Sequence, residues 1–542
     1  MTLDSSFQDA EWDVIVVGTG MGGATIGYAL ARAGRKVLFC ERGKSLTNGE
    51  GLRGDYPEKL SSGTKGSGSM STSILARAGR WAESLQACSG NQCRSFVPFI
   101  GSGTGGSSAL YGMVLERLFP EDFTPRAQFP GAGDSSLPES WPITYPDMQP
   151  YYAQAEVLYR VAGQPDRLRS DSEGMVLREA PPIAAPNREI WQHLESRGMH
   201  PYRLPMAAEF VEGCLGCQGF LCARRCKNDS SRVCLEPALT SHGAQLVDGC
   251  RVLRLEADRE RVTGVICERR GTQLALRGKT VILAAGALNT PAIMLASKSA
   301  QWPDGLGKES GLVGRNVMRH CVDLYRIVPK SPVPSDGNIK ELGFNDFYNA
   351  GGVKLGAVQS FGRLPPASVV LAEMAEKLGS HIAGRLAGAL LQAASPLLAP
   401  PMDWFVGRSL VLATVMEDLP YADNRVEVVG QRGDLRLRYR LHGHDRARVA
   451  EFRSRMRGVL KGYRPALIAQ AENNERIAHV CGTCRFGNDP RSSVLDASNR
   501  VHGLDNLYVV DASWFPSSGG TNPALTNAAN ALRVAGIILA SG

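Results

Sequence analysis

The first forty residues alternate between unbroken apolar runs and a glycine-rich turn. An apolar run at 13–17 leads into the turn 18–23 (Gly-Thr-Gly-Met-Gly-Gly), and residues 24–33 then show helical spacing. After a glycine, a second apolar run at 36–40 ends on Glu41. Short apolar runs bounded by turns are typical of buried parallel strands. The pattern predicts a strand, a G-x-G-x-x-G turn, a helix and a second strand that ends on an acidic residue. This order is the dinucleotide-binding fingerprint.

Each part of this fingerprint has a physical role. Gly18 permits the tight turn, Gly20 lets the backbone approach a pyrophosphate, and Gly23 lets the helix lie close to the strand. The free N–H groups of the helix start then meet the phosphate charge. Glu41 is placed to bind a ribose hydroxyl. The fingerprint alone leaves NAD and FAD open.

Later apolar segments extend the same sheet. Alternation at 253–256, 262–269 and 274–276 predicts a small sheet, and the run 280–285 predicts a buried strand that returns to the first one. A further strand ends on Asp511, where a ribityl or phosphate group of a cofactor would pass.

Residues 321–475 predict a second lobe. Strand character at 344–358 and 409–421, a hairpin over 423–439 and a basic helix at 445–463 make up most of it. Residues 368–395 are helical, and prolines are expected to end that helix. Its apolar stripe is Leu371, Met374, Leu378, Ile382, Leu386, Leu390 and Leu391. The stripe predicts a core or lid helix, with a hydrophobic substrate entrance or membrane-surface contact as the alternative.

Residues 43–95 are rich in glycine and serine, and they predict a long surface excursion without regular structure. Cys88 and Cys93 lie within it, and two free thiols are favoured over a disulfide. Further on, residues 101–112 hold a second glycine-rich stretch between apolar flanks. So many glycines next to apolar segments predict a loop that passes very close to a ligand.

Composition excludes several classes of protein. The 542 residues are 43% hydrophobic and 21% charged, as in ordinary globular proteins, and no run of eighteen apolar residues predicts a membrane span. The acidic, polar start does not look like a secretory signal, so we expect a cytoplasmic protein. A net charge of +8 without dense basic runs gives no reason to expect nucleic acid.

Four of the thirteen cysteines are clustered in sequence, at Cys214, Cys217, Cys222 and Cys226. Four thiols over thirteen residues could hold a metal ion or an iron–sulfur cluster, but their spacing matches no common ferredoxin pattern. We therefore predict no metal, favouring free, buried thiols over an iron–sulfur cluster, and that cluster over a disulfide or zinc.

Several of these segments resemble the glucose–methanol–choline (GMC) flavoprotein oxidoreductases. The stretch 101–113 is similar to the family's first signature and 280–295 to its second, while 141–147, 314–320 and the C-terminal segments 479–485 and 511–526 follow in the family's order. The resemblance implies a Rossmann-type α/β FAD-binding domain and a discontinuous substrate domain on an antiparallel sheet flanked by helices, similar to cholesterol oxidase. It assigns 1–150, 227–320 and 476–542 to the FAD domain, and 151–226 and 321–475 to the substrate domain.

The resemblance also implies which residues hold FAD. Family members that attach FAD covalently use a histidine in the first signature, and 101–117 contains none, so non-covalent FAD is implied. The predicted cofactor-binding residues are Gly18, Gly20, Gly23, Glu41, Gly103, Gly105, Gly106, Ser107, Ser108, Asp511, Ala512, Asn522 and Pro523.

By position, His479 matches the family's catalytic histidine, and Asn522 matches the second catalytic residue, which is a histidine in other branches. The chemistry suits these residue types. A neutral imidazole can take the hydroxyl proton of an alcohol near pH 7. An amide beside it can hold the alcohol oxygen as charge develops, while the flavin N5 accepts the hydride.

We therefore predict FAD-dependent oxidation of a hydrophobic or bulky alcohol to a carbonyl compound, with oxygen or another redox partner as electron acceptor. The alternatives are a strict dehydrogenase that reduces a quinone or cytochrome, a lyase of the cyanohydrin type, and a light-driven decarboxylase on the same scaffold.

Overall fold

The computed structural model describes residues 7–46, 50–60, 71–90, 92–379, 384–430, 433–473 and 479–541. Its strands are β1 (Glu11–Val17), β2 (Val37–Cys40), β3 (Leu85–Ser89), β4 (Gln92–Phe96), β5 (Tyr202–Arg203), β6 (Gln245–Val247), β7 (Cys250–Ala257), β8 (Val262–Arg269), β9 (Thr272–Leu283), β10 (Cys321–Ile327), β11 (Leu342–Phe344), β12 (Asn349–Ala350), β13 (Val353–Lys354), β14 (Gly356–Ser360), β15 (Leu410–Met416), β16 (Arg425–Val429), β17 (Asp434–Arg438), β18 (Ala466–Ala469) and β19 (Leu507–Val509). Its helices are α1 (Met21–Arg32), α2 (Pro57–Leu60), α3 (Thr72–Arg77), α4 (Tyr145–Leu158), α5 (Ala185–Ser196), α6 (Glu236–Ser241), α7 (Asn289–Ala296), α8 (Ala367–Gly379), α9 (Arg385–Gly407), α10 (Gly443–Val459) and α11 (Ala524–Ser541).

The first sheet has the order β6-β2-β1-β9-β8-β7, and β19 pairs with β9. Strands β6, β2, β1, β19 and the second half of β9 run parallel, as the fingerprint predicts. Segments 274–276 and 280–285 fall on a single long strand, β9, whose first half pairs antiparallel with β8. The predicted small sheet is therefore an extension of the Rossmann sheet and not a separate one.

The second sheet, with the order β18-β10-β15-β14-β11-β5, is antiparallel. Alternate residues point to opposite faces of a strand. On one face of β10, Cys321, Tyr325 and Ile327 pack against Phe452 and Met456 of α10 in a continuous core. The other face is turned towards the first sheet and forms part of a large cavity.

The hairpin β3–β4 corrects two expectations about residues 43–95. It joins the hairpin β16–β17 in a four-stranded sheet, although no strand was expected there. Cys88 and Cys93 are directly opposite across the hairpin and form a disulfide, so the expectation of two free thiols was wrong. Most of the glycine- and serine-rich stretch at 63–71 lies outside the described residues.

Helices α8 and α9 pack against each other over the second lobe, in place of the one predicted helix. Helix α9 continues through Pro396, Pro400 and Pro401, which were expected to end it. An interior proline costs about 3 kcal/mol, and the apolar contacts between the two helices, around Leu371 and Ala399, offset that loss. Ile382 of the predicted stripe lies outside the described residues.

Helices α1, α4 and α11 pack together beside the first sheet. Helix α4 begins at a capping box formed by Thr144 and Asp147. The predicted domain boundary at residue 150 falls inside this helix, whose Tyr152 and Ala155 belong to the first core, so all of α4 belongs with the first lobe.

Within the described part of the chain, one helix passes a length and hydropathy test for a membrane span. It is Ala524–Ser541, and 56% of its apolar window is buried inside the protein. Its packing against α1 and α4 is the arrangement of a core helix. The cytoplasmic location stays a prediction from sequence.

Candidate functional site

Four strands of the first sheet end level with one another. The register pairs Val17 with both Cys40 and Leu283, and Leu283 with Val509. The residues that follow these strands, including Gly18, Glu41 and Asp511, therefore meet at one edge of the sheet. Ligands of open α/β folds bind at the carboxyl ends of such strands.

The turn after β1 has the shape that dinucleotide binding requires. Gly18 has φ +100°, and a Cβ there would lie 2.4 Å from Ala284 O. A Cβ at Gly23 would lie 2.2 Å from Gly18 O, so this glycine allows helix α1 to approach the strand. Gly20 differs, because a Cβ there would meet no protein atom within 4 Å.

Gly20 is the N-cap of α1, where no side chain caps the helix and no acidic residue lies in the first turn. The uncapped N–H groups and the positive end of the helix dipole thus face the cavity. A pyrophosphate fits this cradle, and residues 18–23 would hold it.

Glu41 and Asp511 line the cavity, but each also ties loops together. Glu41 accepts hydrogen bonds from Thr19 N (3.1 Å), Thr19 Oγ1 (2.6 Å), Gly43 N (2.9 Å) and Gly103 N (3.2 Å). Asp511 accepts bonds from Gly286 N (2.9 Å), Ser513 N (2.8 Å) and the hydroxyls of Thr290 and Ser513. Burial raises the pKa of both carboxyl groups. Both acids hold the strand-end loops in place, and their contact with a ribose or ribityl group stays a prediction.

The second glycine-rich stretch lies against the first. A Cβ at Gly106 would lie 3.1 Å from Gly20 Cα, so the two loops are in contact. Gly106, Ser107 and Ser108 line the cavity, whereas Gly103 and Gly105 lie behind them. Both of the latter have positive φ, so they shape the loop.

These loops line a cavity of about 3550 Å³. The same cavity is lined by the loop ending at Gly112 and by His479 and Asn522. The free face of the second sheet supplies an apolar floor that includes Leu324 and Val415, and helices α8 and α9 border it. A cavity of this volume can hold a long cofactor together with a substrate.

His479 lies where two C-terminal segments run side by side. Backbone bonds from Gly482 N to Ala512 O and from Cys484 N to Ser513 O join them. The His479 ring meets the ring of His320 edge-on, with centroids 5.1 Å apart. Burial, with the charges of His320 and Lys340, lowers the pKa of His479 to about 3. The imidazole is therefore neutral at physiological pH and able to accept a proton.

Asn522 is held by a residue that the sequence did not single out. Its Nδ2 donates to Gln359 Oε1 (2.9 Å), and Gln359 Nε2 donates to Asn522 Oδ1 (3.4 Å). Gln359 lies on β14 and faces the cavity. The only hint in the sequence was that Gln359 is a polar residue directly after the small and apolar residues 356–358. The pair fixes the orientation of the Asn522 amide.

Buried charges support the loop before Asn522. Glu417 accepts a bond from Gly519 N (3.1 Å), and Tyr348 OH accepts one from Gly520 N (2.8 Å). His320 Nε2 donates to Gly519 O (2.9 Å), which places a proton on that nitrogen. His320 thus both supports the loop and contacts His479.

The cysteine cluster is buried beside the second glycine-rich stretch. Cys226 Sγ lies 3.5 Å from the sulfurs of Cys214 and Cys222, and Cys217 belongs to the same group. Among the described residues, no group of His, Cys, Asp or Glu has the geometry of a metal site. The loop also places Gln218 on the cavity wall.

Comparison with known proteins gives consistent matches over most of the chain. Family models described as GMC oxidoreductase match residues 13–322 and 420–531. The chain is 31% identical to 6'''-hydroxyparomomycin C oxidase of Streptomyces lividus, over 98% of this chain and 92% of that one. It is 27% identical to paromamine 6'-oxidase of Streptomyces fradiae, with the same coverage.

A solved structure, that of pyridoxine 4-oxidase from Mesorbium loti, superposes with a TM-score of 0.63 at 19% identity. The match covers 98% of this chain and 99% of the other. At this identity the likeness shows the fold, and it agrees with the two-lobed architecture described above.

Proposed function

The chain belongs to the GMC oxidoreductase family, whose members generally bind FAD, and on that premise we propose that it oxidises an alcohol to a carbonyl compound with non-covalent FAD. One observation carries the proposal. His479 and Asn522 line the same cavity as the phosphate cradle at Gly20.

In the proposed reaction, FAD supplies the hydride acceptor at N5. His479 takes the proton of the substrate hydroxyl, for which its neutral form is required. Asn522 donates from Nδ2 to the same oxygen and stabilises the negative charge that develops there. The C–H and O–H bonds of the alcohol break and the C=O bond forms. The carbon loses a hydride, which carries two electrons and one proton, and the hydroxyl group loses its proton to His479.

The apolar floor of the cavity supports a substrate with a hydrophobic body. Anaerobic mixing with a panel of alcohols tests the reaction, since oxidation bleaches the flavin absorption. A lyase would turn its substrate over with the flavin still oxidised. Admission of air then separates the acceptors, because rapid reoxidation with peroxide marks an oxidase and slow reoxidation marks a dehydrogenase that needs a quinone or cytochrome.

Gly20→Ala is expected to fold normally and to bind FAD at least tenfold more weakly. The new methyl group meets no protein atom within 4 Å and the backbone has no positive φ, so the fold tolerates it. It would project into the phosphate cradle, where the backbone must approach the ligand closely. FAD titration of the apoprotein measures the affinity.

The matched control is Gly458→Ala, on helix α10, where a Cβ also meets no atom within 4 Å. It should bind FAD like the wild type. Equal affinity of both variants would contradict the placement of the pyrophosphate at Gly20.

Gln359→Leu is expected to lower kcat by about 10- to 100-fold, because Asn522 loses the partner that orients its amide. Anaerobic flavin reduction with a substrate found in the panel measures this step directly. The control Gln392→Leu makes the same chemical change at another cavity-lining residue and should stay within about twofold of wild type. A normal rate in Gln359→Leu would show that the Gln359 pair does not position Asn522.

A further inference from the structure

Lys340 is a buried amine on the cavity wall near His479, in the part of the cavity that we call the substrate end. The residue is only 3% exposed, and Nζ donates to Gln218 Oε1 at 3.0 Å. Nζ also lies against the end of the second glycine-rich stretch, since a Cβ at Gly112 would come within 2.1 Å of it. The amine therefore occupies space that only a glycine at 112 leaves free.

None of the described carboxylates forms an ion pair with this amine. The adjacent Glu341 instead accepts bonds from Asn187 Nδ2 (2.8 Å) and Arg203 Nη2 (3.4 Å). Lys227, on the cysteine loop, adds a second positive charge nearby. A buried ammonium with only an amide partner is costly, and a bound anion would relieve that cost.

The neighbours of Lys340 contain no acid that could replace such an anion. Gln218 and Gly112 are neutral, Phe361 presents its ring at 6.0 Å, and the imidazole of His479 faces the same space. Arg326, on the floor of the same cavity, also forms no ion pair with any of the described carboxylates. Its Nε donates to Ser409 Oγ (2.9 Å). The substrate end of the cavity thus presents an apolar floor with positive groups.

We propose that Lys340 binds an oxyanion of the substrate, so that the site takes an alcohol with an apolar body and a carboxylate or phosphate group, and rejects polyamine alcohols. The proposal rests on the proposed alcohol oxidation for its catalytic readout. The reason for rejection is like-charge repulsion in a desolvated site, which disfavours an ammonium group beside Lys340.

A pH dependence follows from the same geometry. Burial and Lys227 lower the pKa of Lys340 to about 7. An anion beside the amine would stabilise its charged form and raise that pKa, so anion binding takes up a proton above pH 7. The dissociation constant of an anion should then rise by up to tenfold per pH unit above about 7, while that of a neutral analogue stays constant.

Four alcohols that share the benzyl alcohol skeleton and differ only in the para group test the assignment. They are benzyl alcohol, 4-(hydroxymethyl)benzoate, 4-(hydroxymethyl)phenyl phosphate and 4-(aminomethyl)benzyl alcohol. With the wild-type holoenzyme, kcat/KM for at least one anionic alcohol should exceed that for benzyl alcohol by tenfold or more, and the ammonium compound should be the poorest. The better of the two anions identifies the carboxylate or the phosphate as the recognised group. A preference for the ammonium compound, or no preference, would overturn the proposal.

In Lys340→Met the ratio of anionic to neutral kcat/KM should fall at least tenfold, and Lys340→Arg should keep part of it. The matched control is Lys461→Met at an exposed position, which should keep the wild-type ratio. An unchanged ratio in Lys340→Met would refute the assignment.

Binding of the unreactive 4-methylbenzoate, followed by the flavin difference spectrum from pH 6 to 9, separates this proposal from the reaction itself. If none of the alcohols bleaches the flavin, the proposed oxidation fails for this class. Binding of 4-methylbenzoate to the wild type that weakens above about pH 7 would still support Lys340 as the anion site. Binding that does not vary with pH would refute that assignment. Both outcomes can be read from the wild type alone, even if the variants do not fold.

Discussion

His479→Ala is expected to lower kcat for alcohol oxidation by about 10²- to 10⁴-fold, the range for loss of a general base, with FAD still bound. The variant removes the proposed proton acceptor, while the phosphate cradle at Gly20 is formed by other residues of the cavity wall and is left unchanged. Anaerobic stopped-flow bleaching of the flavin measures the step in question. FAD content and absorption spectrum show that the cofactor site is intact.

The control is His200→Ala, at a partly exposed histidine whose Nδ1 lies 2.7 Å from Asp346 Oδ1. It should keep the wild-type rate. A rate for His479→Ala within a few-fold of wild type would remove the assignment of His479 as the base.

The pH profile adds an independent check on the same residue. A histidine base works in its neutral form, so kcat/KM falls as pH drops through its pKa. Because burial, His320 and Lys340 lower that pKa to about 3, no loss of activity from His479 is expected near pH 6.5. Lys340→Met removes one of these causes, so the pKa of His479 should rise. The fall of kcat/KM at low pH should then begin at a higher pH than in the wild type.

The sequence was most informative where the structure is local. Strand β1, the turn at 18–23, helix α1 and strand β2 are contiguous, and their spacing predicts the parallel pairing that the structure contains. The return of residues 280–283 to this sheet was also predictable, since an unbroken apolar run needs burial on both faces. The fusion of this run with residues 272–276 into one strand was not, because the polar residues between them interrupt the apolar pattern.

The substrate end of the site shows why the rest could not be predicted. Gln359 and Lys340 lie on or next to different strands of the antiparallel sheet, and they approach Asn522, Gln218 and Gly112 only after the lobes meet. Pairing register in such a sheet depends on chain reversals that carry little sequence signal. Segments that resemble a known family identified His479 and Asn522, but no local pattern identifies the residues that orient them.

Lys354→Met is expected to destabilise the protein by about 3–5 kcal/mol, the range for removal of one partner from a buried ion pair. Lys354, Asp122 and Glu417 are each at most 1% exposed, with Lys354 Nζ in contact with Asp122 and 2.6 Å from Glu417 Oε2. Burial alone would lower the pKa of Lys354, but the two carboxylates outweigh it and raise that pKa. Without the amine, two like charges would remain buried and unpaired.

Thermal unfolding of the holoprotein should show a fall in midpoint of about 3–4 °C for Lys354→Met, because the unfolding entropy of a chain this long is large. Lys279→Met is the matched control, because it breaks a Lys–Asp pair of similar distance on the surface and should leave the midpoint unchanged. Adding Asp122→Asn and Glu417→Gln to Lys354→Met should recover part of the loss, since the unpaired charges are then absent. A midpoint unchanged in Lys354→Met would mean that this charge cluster does not stabilise the fold.

The same variant should also lower kcat in the protein that remains folded. Glu417 and the Asp122-bound Tyr348 hold the backbone N–H groups of Gly519 and Gly520, immediately before Asn522. Movement of either acceptor shifts the amide that is proposed to bind the substrate oxygen. Gln359→Leu removes only the side-chain partner, so it should lower kcat with little change in midpoint, whereas Lys354→Met should lower both. That contrast distinguishes the residue that orients Asn522 from the buried charges that hold its backbone.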